Sequence, residues 1–156
     1  MSALNPRTLS YIATLDPKAR QPFADFAAAA NRLVAPMGVA YVMIAGNRTY
    51  AEQNRLYAQG RTAPGKIVTR AKGGQSNHNF GIAADFGVFR GHDYLDETEP
   101  KTATQVHKAC AALAEEFGLS AGFYWESFRD EPHYEVATKL TTAQKRARFE
   151  RTGSVL

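Results

Sequence analysis

The chain has 156 residues, 44% of them hydrophobic and 22% charged, with a formal net charge of +4 and an isoelectric point near 9.3. That is enough chain for one domain with a real core, and it excludes a disordered tail, a collagen-like rod and a disulfide-framed mini-protein. No apolar run approaches the ~18 residues needed to cross a bilayer, and the mild positive excess suits an anionic partner: nucleic acid, a membrane surface or bacterial wall polymer.

In chain order, Met1 to Arg7 lacks the basic-then-apolar pattern of a secretory signal. Asn5-Pro6 predicts a helix start for a segment reaching about Leu15, and Asp16-Pro17 repeats the signal. The second helix carries Phe23, Phe26, Ala30, Leu33 and Val34 as its apolar stripe and stops at Pro36. Val39 to Ala45 reads as a short buried strand closed by Gly46-Asn47. A helix follows from Thr49 to Gln59, ended by Gly60, and residues 61–77 form a loop. Phe80 to Phe89 is the next strand expected, followed by a charged loop over residues 89–101. Thr102 with Gln105 resembles a capping box opening a helix with Val106, Cys110, Leu113 and Phe117 on one stripe, ended by Gly118. Pro132 to Ala137 is a last strand, and Thr142 to Arg151 a basic, exposed terminal helix. Helices interspersed with a few short strands predict an α+β fold, with parallel α/β the alternative.

Two places concentrate metal-competent side chains, residues 76–85 and residues 130–135. A catalytic zinc needs three protein ligands and one open position, and His78, Asp85 and His133 can supply that set. Asp85 lies in an apolar segment with only Ala83 and Gly87 beside it on its strand face, a costly place for an acid that is neither paired nor bound to metal. A zinc hydrolase also needs a base. Asp130, three residues before His133, is one candidate, and Glu131 is its rival. Arg48, just after the first strand, is the candidate cation for a developing oxyanion.

Ser-x-His-x-x-Gly-x-Ala-x-Asp, from Ser76 to Asp85, resembles the signature of the zinc D-Ala-D-Ala carboxypeptidase family (VanY-like). Asp130 to Glu135 is similar to that family's second zinc motif, and Gly46 to Thr49 with Gln53 and Gln59 to Thr62 to its upstream arginine segment. That last run and Trp125 to Asp130 look most like the phage endolysin branch, whose members are L-alanyl-D-glutamate endopeptidases of the peptidoglycan stem peptide. The resemblance spans about residues 6–137. It implies a small antiparallel sheet carrying Zn2+ and flanked by helices, as in lysostaphin-like, D-Ala-D-Ala and Hedgehog metallopeptidases. It implies His78, Asp85 and His133 as zinc ligands, Asp130 as base and acid, Arg48 as the carbonyl-polarising residue, and Ser76 and Gln53 near the substrate or just behind the site.

The expected partner is peptidoglycan, with anionic envelope components in support and neither nucleic acid nor membrane insertion. The protein is expected to be a monomer of one catalytic domain with a basic extension over residues 138–156. It would be made in a host cytoplasm and act on the wall after release through a holin-type hole. The rival activities are a D,D- or L,D-carboxypeptidase and a non-catalytic wall-binding module. His92 and His107 read as bystanders, the latter partly exposed. Asp93, Asp96, Glu97 and Glu99 match no calcium-loop spacing and read as a solvated acidic loop. Trp125 and Tyr134 either line the cleft or pack in the core, and Cys110 sits on a core stripe and is no nucleophile.

Overall fold

A computed structural model describes residues 3–156, so Met1 and Ser2, the start of the stretch read for a secretory signal, lie outside the described residues. Asn5 and Asp16 each cap a helix by accepting from the backbone two residues on. This gives α1 (Pro6–Ile12), shorter than expected, and α2 (Pro17–Val34). On α2 the buried stripe is Phe23, Phe26, Ala27, Ala30 and Val34. Leu33, one residue and about 100° off that line, is 44% exposed instead of buried. A single helical turn over Ala35–Met37 leads to β1 (Ala40–Ala45). Thr49 caps α3 (Tyr50–Ala58).

The strand expected from Phe80 begins later. Residues Asn77–Phe80 form a 3-10 turn, Gly81 takes a left-handed φ of +68°, and β2 is Ala83–Arg90. The chain then turns back as β3 (Asp93–Tyr94) and a one-turn helix, α4 (Leu95–Thr98), so the expected loop at 89–101 is ordered structure. Helix α5 is Pro100–Ala111. Its start is set by the fixed φ of Pro100, not by a box at Thr102, whose hydroxyl sits inside the first turn and donates to Glu99. Beyond it lie β4 (Leu119–Ala121), unforeseen in the sequence, then β5 (His133–Val136) and α6 (Thr142–Thr152).

The strands form a five-stranded sheet in the order β1-β2-β5-β4, with β3 on β2, and every strand pair is antiparallel. The α+β expectation therefore holds. One face carries the core. Phe26 of α2 meets Phe86 edge-on at 5.4 Å and Tyr134 at 4.6 Å, and Tyr41 stacks on Phe86 at 5.0 Å. Strand alternation then turns Asp85 and His133, the neighbours of Phe86 and Tyr134, to the other face. Register sets Asp85 directly opposite His133.

Three polar groups read as surface features are structural. His107 is 1% exposed, not a partly exposed bystander. Its Nε2 donates to Asp96 Oδ1 at 2.5 Å, its Nδ1 shares a hydrogen bond with the Tyr41 hydroxyl at 2.7 Å, and that hydroxyl shares another with the Tyr134 hydroxyl at 2.8 Å. Asp96 also accepts from the Val88 amide at 2.8 Å, so it ties α4 to β2 instead of sitting in a solvated loop. On α6, Lys145 is buried and donates to Asn77 Oδ1 at 2.9 Å, while Phe149 packs on Phe80 at 5.4 Å. No helix among the described residues is long and apolar enough to cross a membrane.

Candidate metal centre and cleft

His78 is presented by the turn at Asn77–Phe80. Ser76 caps that turn by accepting from the His78 amide, and Asn79 reaches back to accept from the Gly74 and Ser76 amides. Gly81 ends it where a side chain would run into Asp16, 2.7 Å from the position of a Cβ. The His78 ring donates from Nδ1 to the Gly46 carbonyl at 2.9 Å, which turns Nε2 inward toward Asp85.

Asp85 Oδ1 lies 3.3 Å from His78 Nε2 and 3.3 Å from His133 Nδ1. These spacings are long for N–H···O bonds, and Asp85 Oδ1 is buried with no hydrogen-bond partner. They do match the ~3.3–3.4 Å edge of a tetrahedron whose centre is ~2.0–2.1 Å from N and O ligands. The ligand atoms of His78, Asp85 and His133 all lie within 4.8 Å of one another. Two imidazoles and one carboxylate, converging on a shared point without satisfying each other, fit a zinc ion with one position left open. Burial pushes the Asp85 carboxyl up, but the two imidazoles outweigh it and hold it well below the ordinary carboxylate range. For His133, burial favours the neutral ring, yet Asp85 and Glu135 raise it to about 9 without a metal.

Asp130 stands at the mouth of this site. Its amide donates to the Gly122 carbonyl at 3.1 Å, and its carbonyl accepts from the His133 amide at 3.2 Å. Gly122 allows that approach, since a Cβ there would strike the Asp130 carbonyl. Partial enclosure raises the Asp130 carboxyl above its usual range, and the charge of Asp85 raises it further. Glu131 turns the other way, accepting from Thr104 Oγ1 on α5 at 2.9 Å. Arg48 is half-buried, with its amide bonded to the His78 carbonyl and Nη1 donating to Gln53 Oε1 at 2.8 Å. Gln53 is fully buried and donates onward to the Ala71 carbonyl, so it holds Arg48 from behind and does not face the cleft.

A cleft of about 570 Å³ is lined by Arg48, Ser76, His78, Asp85, Asp130 and His133, among others. Trp125 adds a wall, its ring 5.0 Å from that of His133, whereas Tyr134 is wholly in the core. Past Trp125 and Asp130, which line both, the cleft opens into a second groove bounded by Ile67, Val68, Arg70 and Phe128. Sequence reasoning missed Glu135 as part of the site. It lines the cleft, with Oε1 3.5 Å from His133 Nε2, and its i, i+2 spacing on β5 was the available signal.

A family model described as D-alanyl-D-alanine carboxypeptidase matches residues 69–136, which contain His78, Asp85, Asp130 and His133. The peptidoglycan L-alanyl-D-glutamate endopeptidase CwlK of Bacillus subtilis (strain 168) is 37% identical over 114 residues, 70% of this chain. Over residues 69–136 the chain is thus similar to this peptidase family. The chain spans 65% of CwlK, just under two thirds of that relative's length. Among solved structures, a similar fold occurs in the L-Ala D-Glu endopeptidase ChiX of Serratia marcescens. There the TM-score is 0.53 at 16% identity, over 85% of this chain and 87% of that one. It recurs in the D,D-pentapeptidase VanY of the VanB-type resistance cassette, a complex with Zn(II). That match has a TM-score of 0.55 at 14% identity, over 90% of this chain and 80% of that one. DacB of Streptococcus pneumoniae D39 matches with a TM-score of 0.55 at 19% identity, over 92% and 79% of the two chains. At these identities the likeness is one of fold.

Proposed function

We propose that this chain is a zinc-dependent peptidoglycan peptidase that hydrolyses the L-Ala-D-Glu bond of stem peptides and serves as a phage or prophage endolysin in host lysis. The observation that carries the chemistry is the convergence of His78, Asp85 and His133 on one point beneath Asp130. A zinc ion bound there would polarise the scissile carbonyl and lower the pKa of water. Asp130 takes a proton from the attacking water and returns it to the departing amine, and its raised pKa suits a group that works in both directions. Arg48, held by Gln53, donates to the oxygen on which charge develops. His78, by donating its Nδ1–H to the Gly46 carbonyl, is oriented with Nε2 toward the centre.

The choice of bond is supported by two observations. The cleft is open toward Ile67 and Phe128 rather than closed, so a chain can continue past the cut, and CwlK is named for this bond. The phage role rests on the likeness of residues 59–62 and 125–130 to the endolysin branch. The family description favours a carboxypeptidase as the second reading. Purified muropeptides incubated with the enzyme and analysed by mass distinguish the two. Severed stem peptides are expected, and release of D-Ala alone would overturn the endopeptidase reading. Chelation is expected to abolish cleavage, and Asp130→Asn to lower kcat by about 10²–10⁴. Full activity of the chelated sample would remove the metal from the reaction.

A further inference from the structure

The groove beyond the cleft holds a cation that the mechanism does not use. Arg70 lines it, with its guanidinium carbon 3.9 Å above the ring of Phe128. Among the described residues no carboxylate lies in ion-pair reach of Arg70, not even Asp130, which lines the same groove. Phe128 is 68% exposed and has a φ of +55°, a left-handed conformation that a bulky residue rarely adopts. That backbone offers the ring to the guanidinium from outside the core. Stacking on an aromatic face fixes the guanidinium plane and leaves its edge N–H groups free, and that edge geometry matches a carboxylate.

The direction of the substrate follows from which groups the groove shares with the cleft. It shares Val68, Thr69, Ala71, Gln75, Trp125 and Asp130, of which Asp130 alone is ionisable, but not Arg48, His78, Asp85 or His133. Asp130 delivers the proton to the departing amine, so the segment after the cut bond leaves on the groove side. In a stem peptide the residue after L-Ala is D-Glu joined onward through its side-chain carboxyl. Its α-carboxylate is therefore free and negatively charged. We infer that Arg70, laid on Phe128, is a specificity residue that binds the free α-carboxylate of the residue following the scissile bond. This rests on the L-Ala-D-Glu reading above.

The test compares two synthetic stem tetrapeptides that differ only in that group, α-carboxylate against α-carboxamide. The wild-type enzyme is expected to prefer the carboxylate by about tenfold in kcat/KM, the effect of one charge-assisted contact at a partly open site. In Arg70→Ala the ratio between the two peptides falls to near one, and Arg70→Lys keeps part of it. The ratio is internal to each variant, so a general loss of activity or folding does not move it. Equal cleavage of both peptides by the wild type, or an unchanged ratio in Arg70→Ala, would overturn the inference. Cleavage at another bond, or of neither peptide, would instead overturn the bond-level reading, and the inference with it.

Discussion

Glu135 shows how a single side chain tunes the centre. His133 Nε2 is buried without a hydrogen-bond partner, and Glu135 Oε1, 3.5 Å away on the same strand face, is poised to accept from it. A carboxylate behind a metal-binding imidazole fixes the ring and raises its basicity. Glu135→Gln is therefore expected to weaken metal retention by about 10- to 100-fold in chelator competition, measured without substrate. Asp130→Asn, which removes no ligand, should leave retention near the wild-type value. At this scale the sequence was most legible for His78, Asp85 and His133, because nitrogen and oxygen donors at motif spacing are a chemical signal in themselves. It was less legible for the carboxylates. Glu131, the rival base, would share a face with His133 only on an extended backbone, and the chain turns at Asp130 before β5 begins. The same rule applied forward, from His133 to Glu135, runs along a real strand and succeeds.

Elements are joined behind the centre by the chain of Asp96, His107, Tyr41 and Tyr134. It bridges α4, α5, β1 and β5 beneath the sheet face opposite Asp85 and His133. Burial holds the Tyr41 and Tyr134 hydroxyls protonated to unusually high pH, so they act only as neutral hydrogen-bond groups. His107→Ala strips partners from a buried hydroxyl and a half-buried carboxylate. It is expected to lower stability by about 1–3 kcal/mol, read from the denaturant midpoint at constant slope. The helix carrying His107 was legible from Val106 and Cys110, whose spacing is local. The burial of His107 was not, because it depends on the turn at residues 93–98 folding over the helix. That packing leaves no periodic trace in the sequence. For the same reason the three-residue β4 escaped notice: its single alternation, Leu119-Ser120-Ala121, is too brief to stand out, and it exists by pairing with β5.

For the whole molecule, the net charge of +4 is the property that acts at a distance. If attraction to an anionic envelope brings the enzyme to its substrate, sedimentation with isolated walls should fall several-fold between about 0.1 M and about 1 M salt. Over that range the screening length shrinks from about 10 to about 3 Å. Binding that ignores salt would assign the affinity to the cleft alone. The α+β architecture was legible from alternating helix and strand signals, whereas the last stretch was not. Residues 138–156 read as a basic extension, yet Val155 is buried against Phe80 and Ile82, and Ser154 Oγ donates to Asp16 Oδ2 at 2.6 Å. A contact between segments so far apart in the chain has no local signature. It has a mechanical consequence. Tension applied through residues 154–156 is transmitted by Val155 to Phe80, and by Lys145 to Asn77, the two ends of the turn that carries His78. Immobilising the protein by that segment would load the turn that carries His78 directly. A tether in the outer loop near residues 61–65 would leave it slack.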